Sequence, residues 1–297
     1  MDPRLTFGTT AWIYAANLVV LGFLLFPILA VLQGSLMSER TTYEHLTDLV
    51  PRSVTLENYA VLIVPGFKRS GDVAGNRTYI PQSVQHFPRA FANSLTISVG
   101  VTLLTLVAGA LSAYSIARLK SRWTTWLLGG SLIMRFMPVM VLVIPMYVIG
   151  RTVGVTNSMA GVILAESGLL LPYAIFILVP FFQSIPIELE EAARVDGCSR
   201  LGALWRIIVP LSTPGLAAVG VIVFIASWHE LLIPLVLNNR PEALTLPMVM
   251  ASLAGDVQVL FNITMAVAML SLLPTVLLVL VLQRYVVQGL SAGAVKG

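Results

Sequence analysis

At 297 residues the chain is 57% hydrophobic and only 11% charged, with 18 Lys and Arg against 14 Asp and Glu. A water-facing domain carries roughly 25% charged residues, so a soluble enzyme is excluded, as are disordered, collagenous and disulfide-rich classes. The net charge of +4 gathers into no basic cluster clear of apolar sequence, which removes nucleic acid as a partner. The single Cys198 can form no internal disulfide.

A helix needs about 20 mostly apolar residues to cross a bilayer. Six segments meet that length: 12–32, 91–117, 127–149, 162–182, 214–237 and 263–283. Within hydrocarbon every backbone polar group must be bonded inside the segment, which helices achieve. The expected class is an all-α integral membrane protein with six transmembrane helices. The uncharged stretch after Arg4 is longer than the usual core of a signal peptide, about 7–15 residues. It reads as a retained first helix.

Short loops rich in Lys and Arg stay in the cytoplasm. One side collects Arg4, Arg118, Lys120, Arg122, Arg194, Arg200, Arg206, Arg284 and Lys296, whereas the short loops opposite hold only Arg151 and Arg240. Both termini are expected in the cytoplasm. Residues 37–90 then form an external loop with a short helix starting near Thr55. That loop either contacts an external partner or simply joins two helices. The organisation expected is a tail and first helix over 1–36, the external loop over 37–90, a five-helix core over 91–288 and a tail over 289–297.

Between the fourth and fifth spans, residues 183–210 read as a compact cytoplasmic hook of two short helices. Pro186 suits the first helical position, and Glu188, Glu190 and Glu191 crowd the positive end of the helix dipole. Gly197 fits the left-handed residue just beyond a helix end. Ser199 caps the next helix, in which Leu201, Leu204, Trp205 and Ile208 form an apolar stripe at helical spacing. Pro210 is expected to end that helix, and Thr213 to cap the fifth span. Ala192 and Ala193 would let a partner surface come close, with neighbouring carboxylates to pair with its cations. The alternative is an ordinary helical connection.

Glu191-Ala192-Ala193, then Gly197, then Ile207 and Val209-Pro210 resemble the "EAA" motif of permease subunits in binding-protein-dependent ABC importers. The spacing is identical, and only Val209 departs, standing in place of Leu. Further likeness to sugar permeases of the maltose and trehalose type lies in Thr55-Leu-Glu-Asn-Tyr59, Asn93-Ser94, Ala117-Arg118-Leu119, Ile144-Pro145, Leu171-Pro172-Tyr173 and the ending from Gly289 to Gly297. The resemblance implies the transmembrane domain of a type-1 ABC importer, one half of a heterodimer with a sister permease. It implies that the EAA helix docks in a cleft on a cytoplasmic ATPase, two copies of which bind ATP and Mg and drive the permease pair, while an external solute-binding protein delivers a small-molecule sugar for alternating access. The coupling residues carried over are Glu190, Glu191, Ala192, Ala193, Arg194, Asp196, Gly197, Ile207 and Pro210. No GxxxxGK[ST] phosphate loop is present, so ATP and other cofactors are not expected on this chain. Neither is covalent catalysis.

Ionisable residues within spans are costly and usually face a cavity or partner. Arg135, Glu166, His229 and Glu230 are such residues, and Tyr173 and Trp228 offer rings that could stack on a sugar. These six are the candidates for the substrate path, against a purely structural role between helices. His229 stands where sugar permeases tend to have Asn. His45, His86 and His229 are too scattered for a metal cluster. Two rival readings are a permease for another solute such as glycerol phosphate, and an ion-coupled transporter using Glu166, Arg135 and His229 as a relay.

Overall fold

The computed structural model describes residues 7–38, 54–67, 81–119, 137–255 and 261–294, with isolated positions between 123 and 133. All regular structure among them is helical. Four helices are long and apolar enough to span a membrane: α1 (Phe7–Ser35), α4 (Phe87–Arg118), α6 (Met159–Ser184) and α12 (Phe261–Ala294). These correspond to the first, second, fourth and sixth predicted spans.

The other two predicted spans differ from expectation. The third was expected over 127–149, but its described helix is α5 (Val139–Val153), with Pro138 at the N-cap position. A proline there has no N–H to lose from the ladder and presets the entry into the helix. The fifth was expected as one helix over 214–237. It is instead α9 (Thr213–Trp228) followed, after a break, by α10 (Leu232–Leu237). Pro234 explains the break: in a continuous helix its ring would clash with the carbonyl of Glu230 and remove a hydrogen bond. As the third residue of a new helix it is tolerated.

The chain divides into two compact units. In the first, Met1–Gln85 with Met250–Leu272, the side chains of α1 are exposed from Ala11 to Ala30, whereas Ser35 at its end and Met37 just beyond are buried. That helix end is tied by amides. Asn58, on α2 (Glu57–Ile63), donates to the carbonyls of Ser35 and Met37 at 2.8 and 2.9 Å. Asn262 donates to those of Gly34 and Met37 at 2.7 and 3.0 Å. The last carbonyls of a helix have no partner within it, and these amides supply one. The short helix expected near Thr55 is thus α2, with Thr55 Oγ1 accepting from the Glu57 N–H at 3.2 Å. A second short helix, α3 (Gln82–Gln85), belongs to the same unit.

In the second unit, His86–Val249 with Leu273–Gly297, α4 packs along α6 and α9. Lipid tails are as apolar as leucine, so close backbone approach rather than the hydrophobic effect holds such helices together. Gly109 provides it: a Cβ there would lie 3.1 Å from the Ala174 methyl. Around this contact a core forms from Ile97, Val101, Ala113, Leu178, Phe182 and Val223. Asn93 and Ser94 pin the loop before α11 (Leu246–Ala254) to the start of α4. Asn93 donates to the Glu242 and Leu244 carbonyls, and Ser94 Oγ accepts the Leu246 N–H at 2.8 Å.

Candidate functional site

Two regions of the second unit concentrate polar groups. The first is the hook, built from α7 (Ile187–Val195) and α8 (Arg200–Leu211). Its turn follows from the glycine. Gly197 sits at φ +87°, a left-handed conformation that costs a side-chain-bearing residue strain. The Cys198 N–H then reaches the Ala193 carbonyl at 2.9 Å, and the Gly197 N–H that of Arg194 at 3.1 Å. This pair of bonds is the Schellman motif. Ser199 caps α8 as expected, accepting the Gly202 N–H at 3.1 Å.

Three details of the hook depart from the sequence reading. α8 contains a π turn, Leu204–Ile208, and runs past Pro210 to Leu211. The widened turn bonds Val209 N–H to the Leu204 carbonyl, and it makes room for the proline ring that would otherwise strike the preceding turn. The expected apolar stripe is split: Leu204 and Ile208 are buried, whereas Leu201 and Trp205 are exposed. Thr213 does not cap α9, because its hydroxyl donates back to the Pro210 carbonyl at 2.6 Å.

Glu190 is turned inward, 6% exposed, unlike an outward-facing carboxylate. Its Oε2 accepts from Arg118 Nε at 3.0 Å and its Oε1 from the Tyr114 hydroxyl. Arg118 also donates to the Ile185 carbonyl at 3.2 Å. This clasp ties α7 to the C-terminal end of α4. A buried carboxylate is tolerable only when such partners replace its water. Around the clasp Glu191, Ala192, Arg194, Asp196, Gly197 and Pro210 are exposed, and Ala193 and Ile207 are half-buried.

The second region is a cavity of about 270 Å³ between α5, α6, α9 and α10. Its polar lining is Glu166, Ser227 and Glu230, and its apolar lining includes Leu142, Leu169, Leu170 and Ala226. Glu166 lies seven residues into α6, so about 10 Å along the helix from its start at 1.5 Å per residue. It is 2% exposed. Ser227 donates to its Oε2 at 2.5 Å, while Oε1 has no hydrogen-bond partner. Glu230 Oε1 accepts the N–H groups of Leu232 and Ile233 at 2.8 and 3.3 Å, capping the helix that Pro234 forces to restart.

Of the six path candidates, the structure therefore brings Glu166 and Glu230 to one cavity. Trp228 is not available to a sugar: it is 2% exposed, packed edge-on to Phe91 and stacked on Phe224. Tyr173 is half-buried and His229 exposed, with His229 Nδ1 bonded to the Ile225 carbonyl at 2.9 Å, and neither lines the cavity. Arg135 lies outside the described residues. Ser227 was missed, because a serine beside a tryptophan in an apolar span carries no periodic or charge signal. No group of three potential metal ligands exists among the described residues.

The sequence matches the family described as "Binding-protein-dependent transport system inner membrane component" over residues 78–292. It is 34% identical over 290 residues to the trehalose transport system permease protein SugB of Mycobacterium tuberculosis, covering 97% of this chain and 98% of the relative. It is 34% identical over 248 residues to the diacetylchitobiose uptake system permease protein DasC of Streptomyces coelicolor, covering 80% of this chain and 90% of the relative. Among solved structures, a chain of a bacterial ABC transporter involved in the import of the acidic polysaccharide alginate superposes with a TM-score of 0.76. That match covers 96% of this chain and all of the other, and at 19% identity it is a likeness of fold. The apolar spans, the EAA hook and these relatives agree: the chain belongs to the binding-protein-dependent transport system inner membrane components.

Proposed function

We propose that the chain is the non-catalytic permease subunit of a sugar importer in a bacterial plasma (inner) membrane. It pairs with a sister permease, each forming half of a translocation pathway that works by alternating access. Two cytoplasmic ATPases bind ATP and Mg, and an external solute-binding protein delivers a disaccharide, oligosaccharide or related polyol. Relatives named for trehalose and diacetylchitobiose transport support the sugar class.

The observation that carries this reading is the hook. Its outer surface leaves Leu189, Val195, Leu201 and Trp205 exposed beside Glu188 and Glu191. Apolar side chains rimmed by charge at an exposed site mark a protein interface. Its inner surface is held to a membrane-spanning helix by the Glu190–Arg118 pair. A partner that moves the hook therefore moves α4 with it. That is what an ATPase coupled to a permease requires.

The test is uptake of labelled trehalose, maltose and diacetylchitobiose into vesicles holding this chain with its sister permease, ATPase and binding protein. At least one of these sugars should enter in an ATP-dependent manner. Deleting Gly197 or making Glu191→Lys should leave the subunit in the membrane and abolish coupling of hydrolysis to uptake. Sugar uptake by this chain alone, without ATPase, would overturn the reading in favour of an ion-coupled transporter.

A further inference from the structure

The two helices of the hook carry opposite charge. On α7 stand Glu188, Glu190 and Glu191 against a single cation, Arg194, whereas α8 carries Arg200 and Arg206 and no acidic residue. Their directions differ too. α8 is bent by 81° from α9 across the break between Leu211 and Thr213. A spanning helix stands on average about 20° from the bilayer normal, so a helix turned that far from α9 runs close to the plane of the membrane.

The level of α8 follows from its buried side. Leu204 and Ile208 belong to the same core as Tyr114, near the end of α4, and Phe182 and Ile185, at the end of α6. α8 therefore lies across the ends of two spans, where hydrocarbon gives way to headgroups. Away from that core, Leu201 and Trp205 are 58% and 44% exposed. Four residues apart, they share one flank of the helix, and Arg200 and Arg206 are exposed as well. Leucine and tryptophan with basic neighbours and no acidic ones make up a helix that lies in the interface of an anionic bilayer. The same level is marked just after α4 by Trp123 and Trp126, each 77% exposed, because tryptophan collects where hydrocarbon meets headgroups.

We propose that α8 docks on the lipid surface at the hook's end of the bundle. Leu201 and Trp205 enter the boundary between headgroups and acyl chains, and Arg200 and Arg206 pair with phosphates of anionic lipid. The proposal rests on the permease reading above and deepens it by dividing the hook between two partners. α7, with Leu189 and Val195 exposed beside Glu188 and Glu191, is left to the ATPase. A surface basic enough to pair with the carboxylates of α7 repels Arg200 and Arg206, which an anionic lipid attracts. The lipid then sets the height at which α7 is offered, and its charge tunes coupling.

The test places a nitroxide at Leu201 (Leu201→Cys with Cys198→Ser) of the assembled importer, with cysteine-free partner subunits, in nanodiscs of phosphatidylcholine and phosphatidylglycerol. Oxygen concentrates in hydrocarbon and a nickel chelate stays in water, so collisions with each report where the label lies. The label at Leu201 should meet oxygen and be shielded from nickel, whereas one at Leu189 should be shielded from both by the ATPase. Should Leu201→Cys fail to assemble, Trp205→Cys carries the test with the same expectation. Leaving out the phosphatidylglycerol, or making Arg200→Gln with Arg206→Gln, should raise nickel access at Leu201 about fivefold. Arg200→Lys with Arg206→Lys, which keeps the charge, should not raise it. Shielding from both probes at Leu201 would mean that protein covers α8, and access to nickel alone that water does; either overturns the proposal. Nickel access that ignores both the lipid charge and the arginines overturns the pairing with phosphates. None of these results touches the permease function, which falls only with the uptake assay.

Discussion

Glu190 and Glu166 are both buried, 6% and 2% exposed, and their surroundings separate a joint from a site. At the clasp both carboxylate oxygens of Glu190 are engaged, one by a guanidinium and one by a phenol. In the cavity Glu166 has one hydroxyl donor and one oxygen without a partner. A buried charge whose partners are complete holds two elements in place. The same residue type is thus fully partnered in one place and half-partnered in the other.

Removing the cation is the strongest way to break this contrast. Arg118→Ala leaves a buried carboxylate facing only a phenol, and should destabilise the subunit by about 3–5 kcal/mol, seen as a lower thermal unfolding midpoint in detergent. The double variant Arg118→Met with Glu190→Leu should recover most of that stability, because no charge is then stranded. If the double variant also transports normally, the clasp is not the path by which the hook moves α4.

Neutralising each glutamate in turn sharpens the contrast. Glu190→Gln should cost about 1–3 kcal/mol, since it removes a charged hydrogen bond from a completed network. Glu166→Gln should cost clearly less, because one of its two oxygens has no hydrogen bond to lose and the replacement is of equal size. The two unfolding midpoints, measured side by side, decide the matter: equal losses would mean that Glu166 is as structural as Glu190.

Smaller effects come from the hook's surface. Gly197→Ala forces a side chain into the left-handed region at φ +87° and should cost about 1 kcal/mol. In the assembled importer the partner ATPase should then respond less to the binding protein. Glu191→Lys lies on an exposed position, where substitutions change stability by no more than about 0.5 kcal/mol. A normal unfolding midpoint with lost transport would place Glu191 at an interface; a lowered midpoint would place it in the fold.

The membrane class, four of the long helices and the hook with its glycine turn were all legible before any coordinates. Each depends on local chemistry: run length of apolar residues, a capping serine, a glycine at a helix end. The break after Trp228 was not, because Pro172 and Pro180 sit inside an unbroken α6 and Pro234 alone does not mark one. Ser227 was not, nor was the inward turn of Glu190, although Glu188, Glu190 and Glu191 look alike in sequence.

What the sequence by itself determined is therefore the membrane class, the long apolar helices and the glycine turn of the hook, but not where the third and fifth spans begin and break. Only the tertiary structure decided which way each polar group faces. Arg118 meets Glu190 across 72 residues and Ser227 meets Glu166 across 61. Such meetings depend on how far a helix is rotated and how closely it approaches its neighbour. That rotation is set by contacts such as Gly109 against Ala174 and by the π turn in α8. In a span that is apolar on every side, helical periodicity carries no mark of the face that turns inward, so a buried carboxylate shows its role only when its neighbours are in place.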